Sequence, residues 1–226
     1  MSDEDYVKDG QRITDQLLLY VVDCDQEWKE VKKSDGCTIY SRKSPHIDKM
    51  YKAECVLDAS PEHVLALCSP LRPYRLQWDP FLEDLKVLRV VSQKDHMYLI
   101  QHFTRSAYKG AISARDAIDV VTIGKTDSFY YVSAGGSVHD VSMYPAPPDR
   151  VRTFQHPAGY VIHRIQGEPS KCKFVMLFHI DLNMNQIASI VASMLKPTLM
   201  IDKMVALKKA LLTTDVDKQH LVHQLD

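Results

Sequence analysis

The sequence predicts an α+β protein in which one antiparallel sheet packs against a long helix near the carboxyl end. From residue 28 onward, apolar and β-branched residues come in short runs separated by turn residues, which is the pattern of strands. Most connections between these runs are too short to hold a crossover helix, which favours antiparallel neighbours. After residue 186 apolar residues recur at steps of three and four, which indicates a helix. A sheet and one long amphipathic helix can enclose either a filled core or a cleft.

The chain opens with an amphipathic helix, predicted over residues 3–23. Its apolar positions are Tyr6, Ile13, Leu17 and Tyr20. Strands follow at residues 28–31, 37–42 and 50–57, with Ser34-Asp35-Gly36 as the first turn. A second helix begins at Ser60 and Pro61, because serine caps a helix and proline is tolerated in its first turn. Pro70 and Pro73 end this helix.

The remaining elements are six strands and the terminal helix. The strands are predicted at residues 82–93, 97–105, 115–124, 129–132, 151–165 and 171–182. The proline-bearing stretch 144–149 between two of them is predicted to be a surface loop. The terminal helix is predicted over residues 186–212, with Pro197 as a kink. No repeat, low-complexity tract or linker indicates a second domain.

Composition and motifs exclude several function classes. The 226 residues include 28 Lys and Arg against 29 Asp and Glu, so the basic footprint of a nucleic-acid binder is missing. The five cysteines show no zinc-ligand spacing, and an odd number fits a disulfide framework poorly. An acidic amino terminus without an apolar segment behind it argues against a secretory signal. The longest apolar run, residues 17–22, is far shorter than the roughly 20 residues that span a bilayer. These features predict a reducing, cytosolic compartment.

Two apolar stripes are candidate cavity walls. Along the last strand, alternate residues form an uninterrupted apolar face: Cys172, Phe174, Met176, Phe178 and Ile180. The terminal helix carries a second stripe: Ile187, Ile190, Val191, Met194, Ile201 and Met204. Such stripes are also typical of a solid core. Four lysines on this helix, Lys196, Lys203, Lys208 and Lys209, suit either a solvated face or contact with an anionic membrane.

Several motifs, in order along the chain, resemble those of the StAR-related lipid-transfer (START) domain. They are Trp78-Asp79 after a short helical segment, Ser113-Ala114-Arg115-Asp116, Phe154-Gln155-His156-Pro157-Ala158-Gly159, Gly167-Glu168-Pro169-Ser170-Lys171, and His179-Ile180-Asp181-Leu182 before the terminal helix. Their order and spacing match from about residue 5 to residue 212. The chain departs from the family at Ala114, where proline is more usual, and at Ala117, where an aromatic residue is more usual. His102 and Val121 stand where some sterol-carrying members bury an acidic residue and an arginine.

The resemblance implies the helix-grip fold, a curved antiparallel sheet wrapped around the carboxyl-terminal helix with an internal hydrophobic cavity. Residues 1–226 would form one START-like domain, with a core at about 5–212 and a tail at 213–226. It implies a monomeric, cytoplasmic, non-enzymatic carrier without a cofactor, which encloses one lipid and contacts membranes transiently through the terminal helix. A sterol such as cholesterol is the first expectation. A bile acid or phospholipid, a lipid-sensing accessory domain, an enzyme on the same scaffold and a ligand-gated interaction module remain alternatives.

The candidate ligand-binding residues combine the two stripes with polar groups that could fix a ligand's polar end. His102 and Arg105 precede the segment that corresponds to the family's loop over the tunnel mouth, which contains Tyr108 and Ile112. Arg115 is expected to form a structural ion pair with Asp116. The full candidate set is His102, Arg105, Tyr108, Ile112, Arg115, Phe154, His156, Phe174, Met176, Phe178, Ile187, Ile190, Val191, Met194 and Ile201. The catalytic motifs HExxH, GxSxG, GxGxxG and the P-loop do not occur.

Overall fold

The computed structural model describes residues 2–22, 28–71, 73–107, 110–136, 143–216 and 225, without the side chain of Ile187. The first half contains α1 (Asp3–Val22), β1 (Lys29–Ser34), β2 (Cys37–Lys43), β3 (Lys49–Leu57), α2 (Pro61–Cys68), α3 (Tyr74–Trp78), β4 (Leu82–Ser92) and β5 (Met97–Thr104). The second half contains β6 (Arg115–Lys125), β7 (Phe129–Gly136), β8 (Val151–Arg152), β9 (Phe154–Gln155), β10 (Ala158–Arg164), β11 (Cys172–Phe178), β12 (Ile180–Asp181) and α4 (Gln186–Thr213). The predicted α+β class is confirmed.

Nine strands of the described chain form one continuous antiparallel ladder. Their order is β1-β2-β3-β11-β10-β7-β6-β5-β4. Helix α1 packs on one face, mainly against β7 and β6, whereas α2 and α4 pack on the other. Strand β6, third from the β4 edge, is buried along almost its whole length on both faces. The face opposite α1 is the one that holds the cavity described below.

The predicted strands 151–165 and 171–182 are each interrupted. The first is divided into β8, β9 and β10, and the second into β11 and β12. Pro157 lies between β9 and β10 and has no N–H to donate to a ladder. The short strands β9 and β12 pair with each other, while β8 pairs with β6 in parallel. The predicted antiparallel sheet is confirmed, and β8 adds a short parallel pairing to it.

Two glycines explain local features of the fold. In the β1–β2 hairpin, Asp35 and Gly36 both have positive φ angles, of 51° and 67°, as a two-residue hairpin turn requires. Gly10 lies inside α1, where a glycine normally weakens a helix. A Cβ at this position would lie 2.5 Å from the end of the Met97 side chain and would have to displace it, so glycine lets α1 approach the sheet closely.

Helix α4 runs through Pro197 without a break in its assignment. Proline has no N–H, so the carbonyl of Ser193, four residues earlier, loses its usual helical partner. The hydroxyl of Tyr51 on β3 donates to this carbonyl at 3.1 Å. One residue after the proline, the ammonium of Lys32 on β1 donates to Thr198 Oγ1 at 2.8 Å. The sheet thus supplies hydrogen bonds at the weakest point of the helix.

Tyr51→Phe should loosen the first half of α4. Removing one hydrogen bond of about 1 kcal/mol should raise amide exchange over residues 186–197 about fivefold, with little change in the rest of the helix. Hydrogen exchange followed by mass spectrometry measures this. Tyr40→Phe on the neighbouring strand β2 is the matched control. Equal exchange in wild type and Tyr51→Phe would show that this hydrogen bond does not hold the helix.

Candidate functional site

A cavity of about 200 Å³ lies between the sheet and α4. Its wall is built from strands β4 to β7 and β9 to β12, from α3 and α4, and from the segment that precedes β6. Most of the wall is apolar, and its apolar side chains include Val121, Val132, Ala134, Met176, Phe178, Leu199 and Met200. A larger groove of about 730 Å³ runs along the outside of the first half of α4. That groove is more open to solvent and more polar than the cavity, so the cavity is the better site for an apolar molecule.

One part of the cavity wall carries a buried cluster of charges. Asp79 accepts from Lys203 at 2.8 Å and from Arg75 at 3.4 Å, and Asp79 is 3% exposed. Both cations also lie over the ring of Tyr160, at 5.4 Å for Arg75 and 5.7 Å for Lys203. Burial opposes ionisation of Asp79, but Lys203 and Arg75 outweigh it and lower the pKa of this carboxyl group. Two cations share one anion, so this part of the wall is net positive.

His102 and Asp119 form a second buried polar pair. They lie on the adjacent strands β5 and β6, with His102 Nε2 3.6 Å from Asp119 Oδ2. Neither Asp119 oxygen has a hydrogen-bond partner among the described residues, and the same holds for His102 Nε2. Burial raises the pKa of Asp119 to about 7. Burial, followed by the charges of Arg75 and Lys203, lowers the pKa of His102 to about 3. The pair therefore has hydrogen-bonding capacity that the described protein groups leave unused.

Arg115 and Arg105 occupy a third part of the wall. Arg115 Nε donates to the carbonyl of Leu182 at 3.1 Å, and its Nη1 donates to the carbonyl and hydroxyl of Ser113. Arg105 donates to the carbonyl of Leu82. The predicted ion pair between Arg115 and Asp116 is wrong, because successive residues of a strand point to opposite faces. Asp116 instead pairs with Arg152 at 2.6 Å.

Comparison with known proteins shows the family to which this chain belongs. The family model described as START domain matches residues 11–210, which is most of the chain. The chain belongs to the START family. Among curated members, StAR-related lipid transfer protein 5 of Bos taurus is 28% identical over 176 residues, covering 77% of this chain and 81% of that protein. StAR-related lipid transfer protein 6 of Homo sapiens is 28% identical over 180 residues, covering 79% of each.

A solved START structure has the same fold. Human StAR-related lipid transfer protein 5 superposes with a TM-score of 0.83 at 24% identity, covering 92% of this chain and 97% of that chain. The family match and this superposition confirm the START resemblance and the helix-grip architecture expected from the sequence. This START chain is thus a member of a lipid-binding and lipid-transfer family. In its described part, no helix is both long and apolar enough to cross a membrane.

The START cavity brings together six of the candidate residues. These are His102, Arg105, Ile112, Arg115, Met176 and Phe178. Phe174 and Ile201 are buried in the core outside the cavity lining. Phe154 and His156 lie in contact with each other, 5.1 Å between ring centroids, beside the wall but not in it. Tyr108 and the side chain of Ile187 lie outside the described residues.

Three helix residues lie away from the START cavity, contrary to the expectation. Ile190, Val191 and Met194 are 54%, 47% and 73% exposed. The side of α4 that faces inward instead includes Ala192, Lys196, Met200, Lys203, Met204 and Leu207. Lys196 can face inward because its ammonium lies 5.9 Å from the Phe178 ring centroid, and Lys203 because it pairs with Asp79. Apolar periodicity alone misses a face that contains paired cations.

The charged cluster was missed from the sequence although one signal was present. Arg75 and Asp79 are four residues apart, the spacing of neighbours on a helix, and Asp79 belongs to a motif that the sequence had singled out. Lys203 follows Lys196 by seven residues, which places both lysines on one face of α4. A search for oppositely charged residues at helical spacing would have found the pair Arg75 and Asp79. It would not have found that Lys203 reaches them.

Three histidine rings stack next to the cavity. The ring centroids of His46 and His156 are 4.7 Å apart, and those of His156 and His179 are 4.8 Å apart. His179 lines the cavity, and its Nε2 lies 2.7 Å from Ser44 Oγ. Burial lowers the pKa of His156 to about 4 and that of His179 to about 3, with a further contribution from the neighbouring histidine in each case. The described part of the chain contains no group of side chains placed to hold a metal ion.

Stability should fall in mild acid because His156 and His179 are neutral in the folded chain. Their folded pKa values lie below the ordinary value of about 6.5, so the unfolded chain binds more protons as pH falls through this range. His102 acts in the same direction, whereas Asp119, with its raised pKa, offsets about one histidine. We expect a loss of about 2–3 kcal/mol between pH 7.5 and pH 5, measured by urea unfolding. His179→Gln should reduce this loss, and His96→Asn, in an exposed turn, should not; a flat profile would contradict the assignment.

Proposed function

We propose that this START protein is a non-enzymatic, cytosolic carrier that encloses one sterol in its cavity and moves it between membranes. The observation that carries the proposal is the mostly apolar cavity, with His102 in its wall and the unused partner Asp119 beside it. A sterol presents one hydroxyl group on an otherwise apolar surface. The hydroxyl can both donate to the Asp119 carboxyl group and accept from a protonated nitrogen of His102.

The volume of the cavity supports entry by widening. Ligand cavities are usually at least about 300 Å³, so a cavity of about 200 Å³ is smaller than a lipid needs. Keeping a much larger space empty would be costly, at about 24 cal/mol per Å³. A chamber that is small when empty and expands around its ligand avoids this cost. The segments best placed to move are the first half of α4 and residues 110–114, because both border the cavity, through Lys196 and Ile112 respectively.

The chemistry of the wall supports carriage rather than turnover. The described residues that line the cavity include no serine or cysteine, the usual nucleophiles of acyl transfer. The acidic and basic side chains of the wall are largely bonded to each other or to backbone carbonyls. Buried and free thiols at Cys37, Cys55, Cys68 and Cys172 support a reducing compartment. Turnover of a bound sterol ester would contradict this part of the proposal.

Titration with a fluorescent sterol, dehydroergosterol, tests the ligand. We expect saturable binding of one sterol per chain and competition by cholesterol. Asp119→Leu should weaken binding about tenfold, because it removes an acceptor for the hydroxyl group and keeps a side chain of similar size. Asp58→Leu, at an exposed position, is the control. If mass spectrometry finds that a bile acid or phospholipid copurifies with the protein and a sterol does not, that lipid is the ligand and the sterol proposal is wrong.

Membrane contact is proposed through the exposed apolar residues of α4. Ile190, Val191 and Met194 form an exposed apolar patch on the outer side of its first half. Two of the lysines that were expected to contact the membrane are instead bonded to other groups of the protein. Lys203 pairs with Asp79, and Lys208 donates to the carbonyl of Asp35 at 2.6 Å. The apolar patch can enter the interface between lipid headgroups and acyl chains.

Met194→Arg should slow transfer between vesicles about tenfold while leaving sterol binding in solution unchanged. The side chain is 73% exposed, so the substitution does not alter the cavity or the core. Its loss removes apolar area that would insert into the membrane. Transfer of dehydroergosterol between donor and acceptor vesicles measures the rate. Leu212→Arg, at the opposite end of α4, is the control, and normal transfer by Met194→Arg would exclude this patch as the contact.

A further inference from the structure

Arg115 is a buried arginine without a counter-ion. It is 6% exposed, and no carboxylate of the described residues lies within ion-pair distance of it. Its neighbour Asp116 is occupied by Arg152, and nearby Glu83 by Arg150 at 3.0 Å. Buried charges are normally paired with an opposite charge, because desolvation is otherwise costly. The chain therefore retains at Arg115 a positive charge that no described carboxylate neutralises.

The hydrogen bonds of Arg115 join two segments that border the cavity. One segment, residues 110–114, contains Ser113 and Ala114, whose carbonyls accept from Nη1. The other, residues 180–185, contains Leu182, whose carbonyl accepts from Nε, and leads directly into α4. Each segment also contributes to the cavity wall, through Ile112 and Leu182. We call residues 110–114 and 180–185 the mouth segments; Arg115 ties them together.

The second terminal nitrogen of Arg115 is available. Nη2 donates to none of the described residues, and it is not among the buried polar atoms that lack a partner. Arg105 lies in the same wall, is exposed to solvent, and has no carboxylate partner in the described part of the chain. Two guanidinium groups without counter-ions, one with a free donor, suit an oxyanion. Arginine binds phosphate by paired, charge-assisted hydrogen bonds that are stronger than those to neutral carbonyls.

We propose that Arg115 is an oxyanion site that binds the phosphate of an anionic membrane lipid and, in doing so, releases the mouth segments. The guanidinium group exchanges its bonds to Ser113 and Leu182 for bonds to phosphate oxygens, and no covalent bond changes. Arg105 adds a second positive charge to the same oxyanion. The inference rests on the proposed carrier function, since the released segments are those that would admit a lipid. It gives the membrane surface a chemical means of opening the cavity.

Hydrogen exchange of the mouth segments tests this without requiring any lipid to be carried. The intact chain is compared alone, with vesicles of phosphatidylcholine, with inorganic phosphate, and with vesicles of phosphatidylcholine and phosphatidylglycerol, an acidic lipid whose only charged group is its phosphate. We expect exchange in residues 110–114 and 180–185 to rise about tenfold with the acidic vesicles only, and the rise to diminish at high salt. Sterol binding measured separately can fail while this response is kept, so the two proposals fail independently.

Variants separate the site from a purely structural role. Arg115→Gln should show fast exchange of the mouth segments before any vesicles are added, and no further response to them. Arg115→Lys keeps the charge but has only one nitrogen, so it should respond more weakly than wild type and covers the case in which Arg115→Gln does not fold. Arg12→Gln, on the exposed face of α1, should behave as wild type.

Three outcomes would overturn the proposal. An equal response to acidic and neutral vesicles would exclude recognition of an anionic lipid. A full response to inorganic phosphate alone would assign the site to a soluble oxyanion instead of a lipid headgroup. A normal response of both Arg115 variants would place the anion contact elsewhere.

Discussion

We expect Ala134→Phe to abolish lipid binding while the chain stays folded. Ala134 lies on β7 in the cavity wall, directly opposite Val121 on β6 and Ala158 on β10. A phenyl ring from this position occupies much of a space of about 200 Å³. We expect the dissociation constant for dehydroergosterol to rise at least about 100-fold. Because the ring enters a cavity and not a packed core, the free energy of unfolding should fall by no more than about 3 kcal/mol.

The control for this substitution is Ala146→Phe, which introduces the same side chain in an exposed loop. Sterol binding is measured by fluorescence titration and folding by circular dichroism and urea unfolding. Ala146→Phe should bind sterol like the wild type. If Ala134→Phe is folded and binds sterol with unchanged affinity, the lipid does not occupy this cavity.

We expect Asp79→Asn to destabilise the chain more than any other single polar substitution that we propose. Asp79 is the anion for both Lys203 and Arg75, and all three side chains are withdrawn from water. Without the carboxylate charge, two cations remain close together in the interior. Removing one partner of a buried ion pair costs about 3–5 kcal/mol, a large part of a domain's total stability. Urea unfolding at neutral pH measures the loss.

Asp58→Asn, which replaces an exposed carboxylate, is the control. We expect it to change the free energy of unfolding by no more than about 0.5 kcal/mol. Asp79→Asn combined with Lys203→Met should recover part of the loss, because one of the two unpaired charges is removed at the same time. If Asp79→Asn and Asp58→Asn unfold at the same urea concentration, the charged cluster does not stabilise the fold.

The order of the elements was predictable because strands and helices have different periods. The opening helix, the β1–β2 hairpin with Ser34-Asp35-Gly36, the capped start of α2 and the extent of α4 follow from local patterns that neighbours do not alter. The pairing of β9 with β12 was not predictable, because it depends on an interruption at Pro157 and on a contact between segments distant in sequence. Local patterns therefore gave the elements, and long-range contacts decided how two of them were divided.

The cavity was predictable only in part, and α4 shows the reason. Its apolar residues surround much of the helix, so their spacing does not decide which face lies inward. Lys196 and Lys203 are inside because Phe178 and Asp79 stabilise them there, and neither contact can be read from helical spacing. The same applies to Asp119, whose position opposite Ile100 and beside His102 depends on the register of β5 with β6. Polar residues inside a cavity are therefore the hardest part of a lipid site to predict.

Native mass spectrometry of the purified chain tests most directly whether the cavity holds a lipid. The protein is expressed in cells that contain sterols, purified without detergent and sprayed under gentle conditions. We expect the 25.8 kDa chain to carry one additional mass equal to that of a sterol, and Ala134→Phe to lack it. A chain that never carries a lipid, even after incubation with sterol-containing vesicles, would contradict the account.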